Sequence, residues 1–189
     1  SQGVNTAQLT DHTIYFNNAT GSGQVFPTTA PAGWTVENVV VGNFSGRTDG
    51  REDFAVMYVN RSVSNSHPDF ENTSIKIYIP DSTGTPQDQT STYLGTAFDN
   101  DTAKFYRLKG ADVNGDSKLD LVMVRKVGGT VNSPVRQLDV LVNAGGSFAR
   151  KTFTAGNSYM GYNVTPIESG NKSKLMLSIG GKLYLGTVQ

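Results

Sequence analysis

The chain has 189 residues, enough for one domain with a sizeable core. Sixteen basic and sixteen acidic residues cancel, which argues against a broad electrostatic surface for nucleic acid. Cys is absent and His12 and His67 are the only histidines, which excludes disulfides, thiolate zinc sites, a Cys nucleophile and a His-rich metal centre. No apolar run approaches the roughly 18 residues of a membrane span. The N-terminus lacks a basic-then-apolar leader, so a signal peptide is expected to have been removed or never to have existed.

Hydrophobic residues make up 37% and charged residues 17% of the chain. The 21 glycines, with abundant Ser, Thr and Asn, favour turns over long helices. The periodicity is that of strands. In chain order, VVVGNF (39–44), FAVMYV (54–59), IKIYI (75–79), LDLVMV (119–124), LDVLV (138–142) and LYLGTV (183–188) are short and rich in β-branched and aromatic residues. Gly, Asn, Asp and Pro punctuate them. No long window holds an i, i+3, i+4, i+7 apolar pattern. The chain reads as all-β and mostly antiparallel, with helix nearly absent.

Internal repetition organises these runs. TIYFNNATGSGQVF (13–26), IKIYIPDSTGTP (75–86) and LDVLVNAGGSF (138–148) share an apolar-x-apolar run, a turn and, in two of the three, a closing aromatic. Ile14, Ile77 and Val140 hold equivalent places, 63 residues apart each time. Before the later copies stands an extended run, an Asp/Asn/Gly-rich loop and a strongly apolar strand, at 39–59, 108–124 and, eroded, 164–179. The reading is a single domain of three blade-like units, approximately 13–80, 81–148 and 149–189: a partial or small β-propeller-like repeat. Residues 60–73 read as a long surface insertion. Three units are fewer than the four to eight blades of a closed propeller, which leaves a fragment of a longer propeller, closure by self-association through open sheet edges, or a small fold in which N- and C-terminal strands share a sheet, the last suggested by late-in-unit sequences at both chain ends.

The sharpest local signal is DVNGDSKLD (112–120). Side-chain oxygens stand at loop positions 1, 3, 5 and 9, on Asp112, Asn114, Asp116 and Asp120. Alternating ligands on a tightly turned loop can point several oxygens at one centre, and Ca²⁺ takes six to eight oxygens at about 2.3–2.6 Å. The Lys118 carbonyl is the natural fifth ligand. The first half resembles the EF-hand pattern D-x-[DN]-x-[DN]-G, matching its first five positions; then Asp120 comes at position 9, no Glu follows at 12, and strands replace the flanking helices.

This loop, followed by an apolar strand and later by NAGGSF (143–148), resembles the calcium loop of FG-GAP/VCBS repeats, the units of integrin-α-like β-propellers. The resemblance implies calcium held by the side chains of Asp112, Asn114, Asp116 and Asp120 and the carbonyl of Lys118. It also implies a secreted or cell-surface module for adhesion or ligand binding. The family's position-6 Gly is Ser117 here, which costs backbone energy if that site needs φ > 0. At 43–53, Asn43 and Ser45 replace the first and third ligands while Asp49, Gly50 and Asp53 remain; Asp49 is open either to a cation or to a neighbouring Arg. The 168–176 loop has Lys172 and Lys174 where carboxylates are needed and is expected to bind none.

No catalytic constellation is found. His12 and His67 sit among turn residues, G-x-S-x-G is absent, and the acid pairs Glu52/Asp53 and Asp99/Asp101 read as solvated turns. Trp34 is either a core anchor or a sugar platform, and Tyr159, Met160 and Tyr162 either pack between blades or form a rim patch. N-x-[ST] sequons at Asn18, Asn43, Asn60, Asn72, Asn100, Asn163 and Asn171 leave glycosylation open. The expected function is a calcium-stabilised recognition module without catalytic activity. The alternatives are the non-catalytic propeller part of a secreted enzyme or toxin, or a carbohydrate-binding lectin. The expected partner is a protein or glycan ligand, not nucleic acid, with self-association through open sheet edges.

Overall fold

The computed structural model describes residues 13–17, 23–27, 30, 32–60, 72–95, 104–129, 133–156, 160–166 and 173–186. The strand pattern of the sequence is realised as four antiparallel sheets. Strands β1 (Thr13–Asn17) and β2 (Gly23–Pro27) form a hairpin. Strands β3 (Trp34–Gly42), β4 (Asp53–Asn60), β5 (Asn72–Pro80) and β6 (Pro86–Asp88) follow one another across a four-stranded sheet. The short helix α1 (Thr90–Leu94), the one helix among the described residues, comes next. Strands β7 (Lys104–Ala111), β8 (Asp120–Gly129), β9 (Pro134–Asn143) and β10 (Phe148–Gly156) repeat the meander. Strands β11 (Met160–Pro166), β12 (Ser173–Ile179) and β13 (Lys182–Gly186) form a three-stranded sheet. The fold is all-β and antiparallel. The terminal strands do not share a sheet: β1 pairs with β2 and β13 with β12.

The two four-stranded sheets are copies at the level of register. Ile77 on β5 lies opposite Ala55, two residues into β4; Val140 on β9 lies opposite Val122, two residues into β8. Each first strand carries a bulge against the second, between Val36 and Asn38 and between Tyr106 and Leu108. Arg107, inside the second bulge, takes φ 54. Bulges sharpen local twist, which suits sheets that must stack on both faces.

Face-to-face stacking explains the near-continuous apolar runs. Every residue from Asp53 to Val59 is buried, so β4 is covered on both sides and has no solvent face to alternate with. Ala55, Met57, Ile75 and Ile77 of the first sheet pack on Leu108, Leu121, Met123 and Leu141 of the second. The second sheet's other face, Val122, Val124, Leu138 and Val140, meets Leu175, Leu177 and Ile179 of β12. Phe54, Val56 and Tyr58 on the first sheet's other face pack with Ala30 and Trp34, the core-anchor arrangement for Trp34. Each such buried side chain contributes about 1.5–3 kcal/mol.

Strands β3 and β7 meet across a glycine seam. A Cβ built at Gly110 would lie 2.4 Å from Val40 Cγ1, and one at Gly42 would lie 2.2 Å from Leu119 Cδ2. Leu119, at the end of the 112–120 loop, is therefore held in the seam by two residues without side chains.

Candidate metal centre

Both loops that join a first strand to a second end on a buried aspartate. Asp53 opens β4, Asp120 opens β8, and both are fully buried. A carboxylate at that depth must be satisfied, because an unpaired buried acceptor costs about 1–3 kcal/mol and more when charged. Asp120 Oδ2 accepts from Val113 N at 2.9 Å and Oδ1 accepts from Asn143 N at 2.8 Å. One carboxylate thus closes its own loop and ties β8 to the end of β9. Asp53 Oδ2 accepts from Ser45 N at 2.7 Å, while its Oδ1 makes no hydrogen bond and is met by the Arg47 guanidinium at 3.6 Å.

Within 112–120 the acidic and amide side chains turn the chain by capping its amides. Asp112 accepts from Gly115 N and Asp116 N through Oδ1 and from Ser117 N through Oδ2. Asn114 Oδ1 accepts from Asp116 N at 3.0 Å, and Asp116 Oδ1 accepts from Lys118 N at 3.0 Å. These are successive Asx-type turns, which is why short polar side chains occupy alternate positions. Ser117 takes φ 66, so the cost expected from replacing Gly is incurred, about 1–2 kcal/mol. Burial pushes the Asp120 carboxyl up from its usual range, and the neighbouring Asp116 and Asp112 charges push the same way.

The donor set suits a hard cation: three carboxylates, one amide oxygen and a backbone carbonyl. The side chains as placed face backbone amides. Among the described residues, no group of three or more His, Cys, Asp or Glu side chains is placed to hold a metal ion. A carboxylate offers about four lone-pair sites; Asp112 Oδ1 spends both of its own on Gly115 N and Asp116 N, while Asp112 Oδ2, Asp116 Oδ1 and the Asp120 oxygens each cap one amide, and a cation would have to draw the remaining lone pairs onto a common centre.

The 43–53 loop carries a cation of its own. The Arg47 guanidinium pairs with Asp49 through Nε–Oδ1 and Nη2–Oδ2, both 2.6 Å, and donates through Nη1 to Pro80 O at 2.7 Å. Nη1 also lies 3.6 Å from Asp53 Oδ1. Arg51 adds a second contact to Asp49 at 3.2 Å. Asn43 binds Arg47 main chain in both directions, accepting at Oδ1 and donating from Nδ2. Of the two readings open for Asp49, the structure takes pairing with Arg.

The same neighbours set the acid response. The hydrogen bond from Arg47 holds the Asp49 carboxyl at about 2, and the Thr83 hydroxyl and Thr85 amide hold Asp81 at about 2. A carboxylate depressed in the fold stabilises it above the unfolded value near 3.9, and this is lost as pH falls toward 2. Urea unfolding at pH 4 and pH 2.5 should show that loss. Asp81→Asn should shrink the difference while leaving the pH 7 transition almost unmoved in slope.

Asn143, noted only as part of a turn, turns out to be the tertiary staple of the region. It is buried, and its Nδ2 donates to Phe44 O, 99 residues away, at 3.0 Å and to Leu119 O at 3.3 Å. Its Oδ1 accepts from Gly145 N at 2.8 Å. Phe148, the aromatic that ends the same motif, packs edge-on against Phe44 at 5.7 Å and tilted against Tyr93 at 5.9 Å. Side-chain amides capping turns are common in any sequence, so only the aromatic five residues later hinted at this role.

The two loops flank an open cleft of about 530 Å³ lined by Val41, Asn43, Glu52, Asp112, Lys118 and Leu119, among others. Glu52 is exposed, but Asp53 is fully buried, so this pair is not the solvated turn expected from the sequence: Asp53 caps the Ser45 amide as it opens β4. His12, His67, Asp99, Asp101 and Tyr159 lie outside the described residues, as do the eroded 168–172 stretch and the side chain of Tyr162. No helix among the described residues is long and apolar enough to cross a membrane. Comparison with family models, with curated proteins and with solved structures finds no match for this chain.

Proposed function

We propose that this chain is a secreted or cell-surface recognition module without catalytic activity, built of propeller-blade-like units, whose 112–120 loop is stiffened by calcium. The observation that carries the reading is the loop's conformation. Asp112, Asn114 and Asp116 each fold the chain over its own amides, with Ser117 in the left-handed region, on the loop that ends at the buried carboxylate of Asp120. Lys118 Nζ, 3.7 Å from Asp116, is a partly exposed counter-charge. A divalent ion held by Asp112, Asn114, Asp116, Asp120 and the Lys118 carbonyl would relieve the carboxylate repulsion at Asp120. Its role is to order the loop that positions Leu119 in the glycine seam. The FG-GAP/VCBS resemblance supports the same assignment.

The test is a thermal melt in calcium against EDTA. Calcium at about tenfold its Kd contributes roughly 1.4 kcal/mol to a native-only site, a rise of about 3–5 °C for a chain of this length. Asp116→Ala should abolish the rise and keep the EDTA melting point within a degree or two. A calcium response that survives Asp116→Ala removes the loop from consideration.

A lectin reading is favoured by one observation, the cleft between the loops, where Asn43, Glu52 and Lys118 offer polar contacts beside the apolar Val41 and Leu119. A glycan array that loses its signal on Glu52→Ala would select it.

A further inference from the structure

The edge of a sheet is a row of unpaired N–H and C=O groups, and folds guard it with charge, proline, bulges or brevity. The outer edges whose side chains are described carry such guards, with one exception. Strand β6 is three residues long and holds Pro86 and Asp88. Strand β10 exposes Arg150 and Lys151 and breaks its register between Thr154 and Gly156. Strands β3 and β7 face each other across the glycine seam. Strand β13 is the exception. It runs Lys-Leu-Tyr-Leu-Gly, with its one charge at the turn end, and Leu183, Tyr184 and Leu185 are 71%, 47% and 64% exposed. Among the described residues no strand pairs with its outer side.

The hairpin that carries β13 fixes which of its main-chain groups point outward. Gly180 and Gly181 take φ 55 and 79, and Ile179 lies opposite Lys182. This is a two-residue turn of type I′, in which the first carbonyl accepts from the fourth residue's amide. Ile179 and Lys182 are therefore a hydrogen-bonded pair, and such pairs alternate along an antiparallel ladder. Lys182, Tyr184 and Gly186 thus bond to β12, while Leu183 and Leu185 turn both N–H and C=O to the free edge. Leu183 lies opposite Ser178 and Leu185 opposite Met176. Their side chains share the face that the second sheet does not cover, since Leu175, Leu177 and Ile179 pack on that sheet from the other face.

We propose that β13 pairs antiparallel with β13 of a second copy of this chain, about a two-fold axis at Tyr184. The strand is self-complementary in this register. Leu183 falls opposite Leu185 of the second copy, and the reverse pair repeats it, so two bonds per pair give four in all. Lys182 falls opposite Gly186, so no like charges meet. Moving the axis to Leu183 sets Leu185 against the Gly181 turn and forfeits two of the four bonds. Met176, Leu183 and Leu185 of both copies join in one apolar strip. This symmetry, with continuity of the β11–β13 ladder, selects a second copy over an unrelated strand. A five-residue strand buries well under the roughly 800 Å² per partner of a standard interface, so the dimer is weak, with Kd on the order of 100 µM. The proposal stands apart from the calcium reading.

Sedimentation equilibrium of the intact chain, from about 10 µM to about 1 mM, should show monomer passing to dimer. Leu185→Pro removes an amide hydrogen that has no ladder partner in the monomer, at an edge position that tolerates proline. It should weaken the dimer at least tenfold and keep the melting point within a few degrees. Leu185→Lys, which makes no demand on the backbone, should weaken it as much. The chain has no Cys, so single introduced thiols read the register. In Tyr184→Cys the facing Cα atoms form a non-hydrogen-bonded pair about 4.5 Å apart, within reach of a disulfide. In Leu183→Cys they lie on a diagonal of roughly 7–8 Å, beyond that reach. Diamide should therefore cross-link Tyr184→Cys at least tenfold faster than Leu183→Cys. A chain still monomeric at the highest concentration, a dimer that survives both Leu185 variants, or equal cross-linking rates each overturns the proposal. The first of these outcomes leaves the edge to a strand of another protein.

Discussion

Asp120→Ala is expected to destabilise the chain by about 3 kcal/mol, since it strands two buried amide donors at once. Val113 N and Asn143 N both donate to this carboxylate, and its site is fully buried. Alanine leaves them without an acceptor and opens a small void. Asp120→Asn should recover part of the loss, because its carbonyl oxygen satisfies one amide while its NH₂ opposes the other. Asp112→Ala, at a partly exposed position whose amide partners reach water, should cost about 1 kcal/mol. Urea denaturation in EDTA measures all three, and their order is the point. If Asp112→Ala costs as much as Asp120→Ala, the loop is held by its turns and not by the buried carboxylate.

Gly110→Val is expected to cost about 3 kcal/mol through overpacking of the β3–β7 seam. The new Cβ would meet Val40 Cγ1 at 2.4 Å and both Leu119 methyl carbons at 3.2 and 3.3 Å. Valine at position 40 is stiff at χ1 and cannot turn away. Gly42→Ala is the milder case, because its clash is with the end of one leucine side chain, which can rotate. Val40→Ala in the Gly110→Val background should restore about half of the loss, as expected for two residues competing for one space. Additive losses would mean that the two strands do not share this contact.

Much of the fold was legible because it is written in short-range pattern. The two-residue period and β-branched runs mark strands, and the equivalence of Ile77 and Val140 follows from a spacing that register reproduces. The alternating oxygens of 112–120 announce a tight loop because Asx turns reach only two to five residues. What tertiary structure decided are contacts between distant parts of the chain. Arg47 neutralises the first loop by reaching Asp53 and Pro80 as well as Asp49, and Asn143 binds Phe44 across 99 residues. Asp120 acts as a buried strut, its carboxylate held between Val113 and Asn143. Local spacing determines how the backbone turns; which buried donor meets which acceptor depends on how the sheets stack, and no short window of residues contains that information.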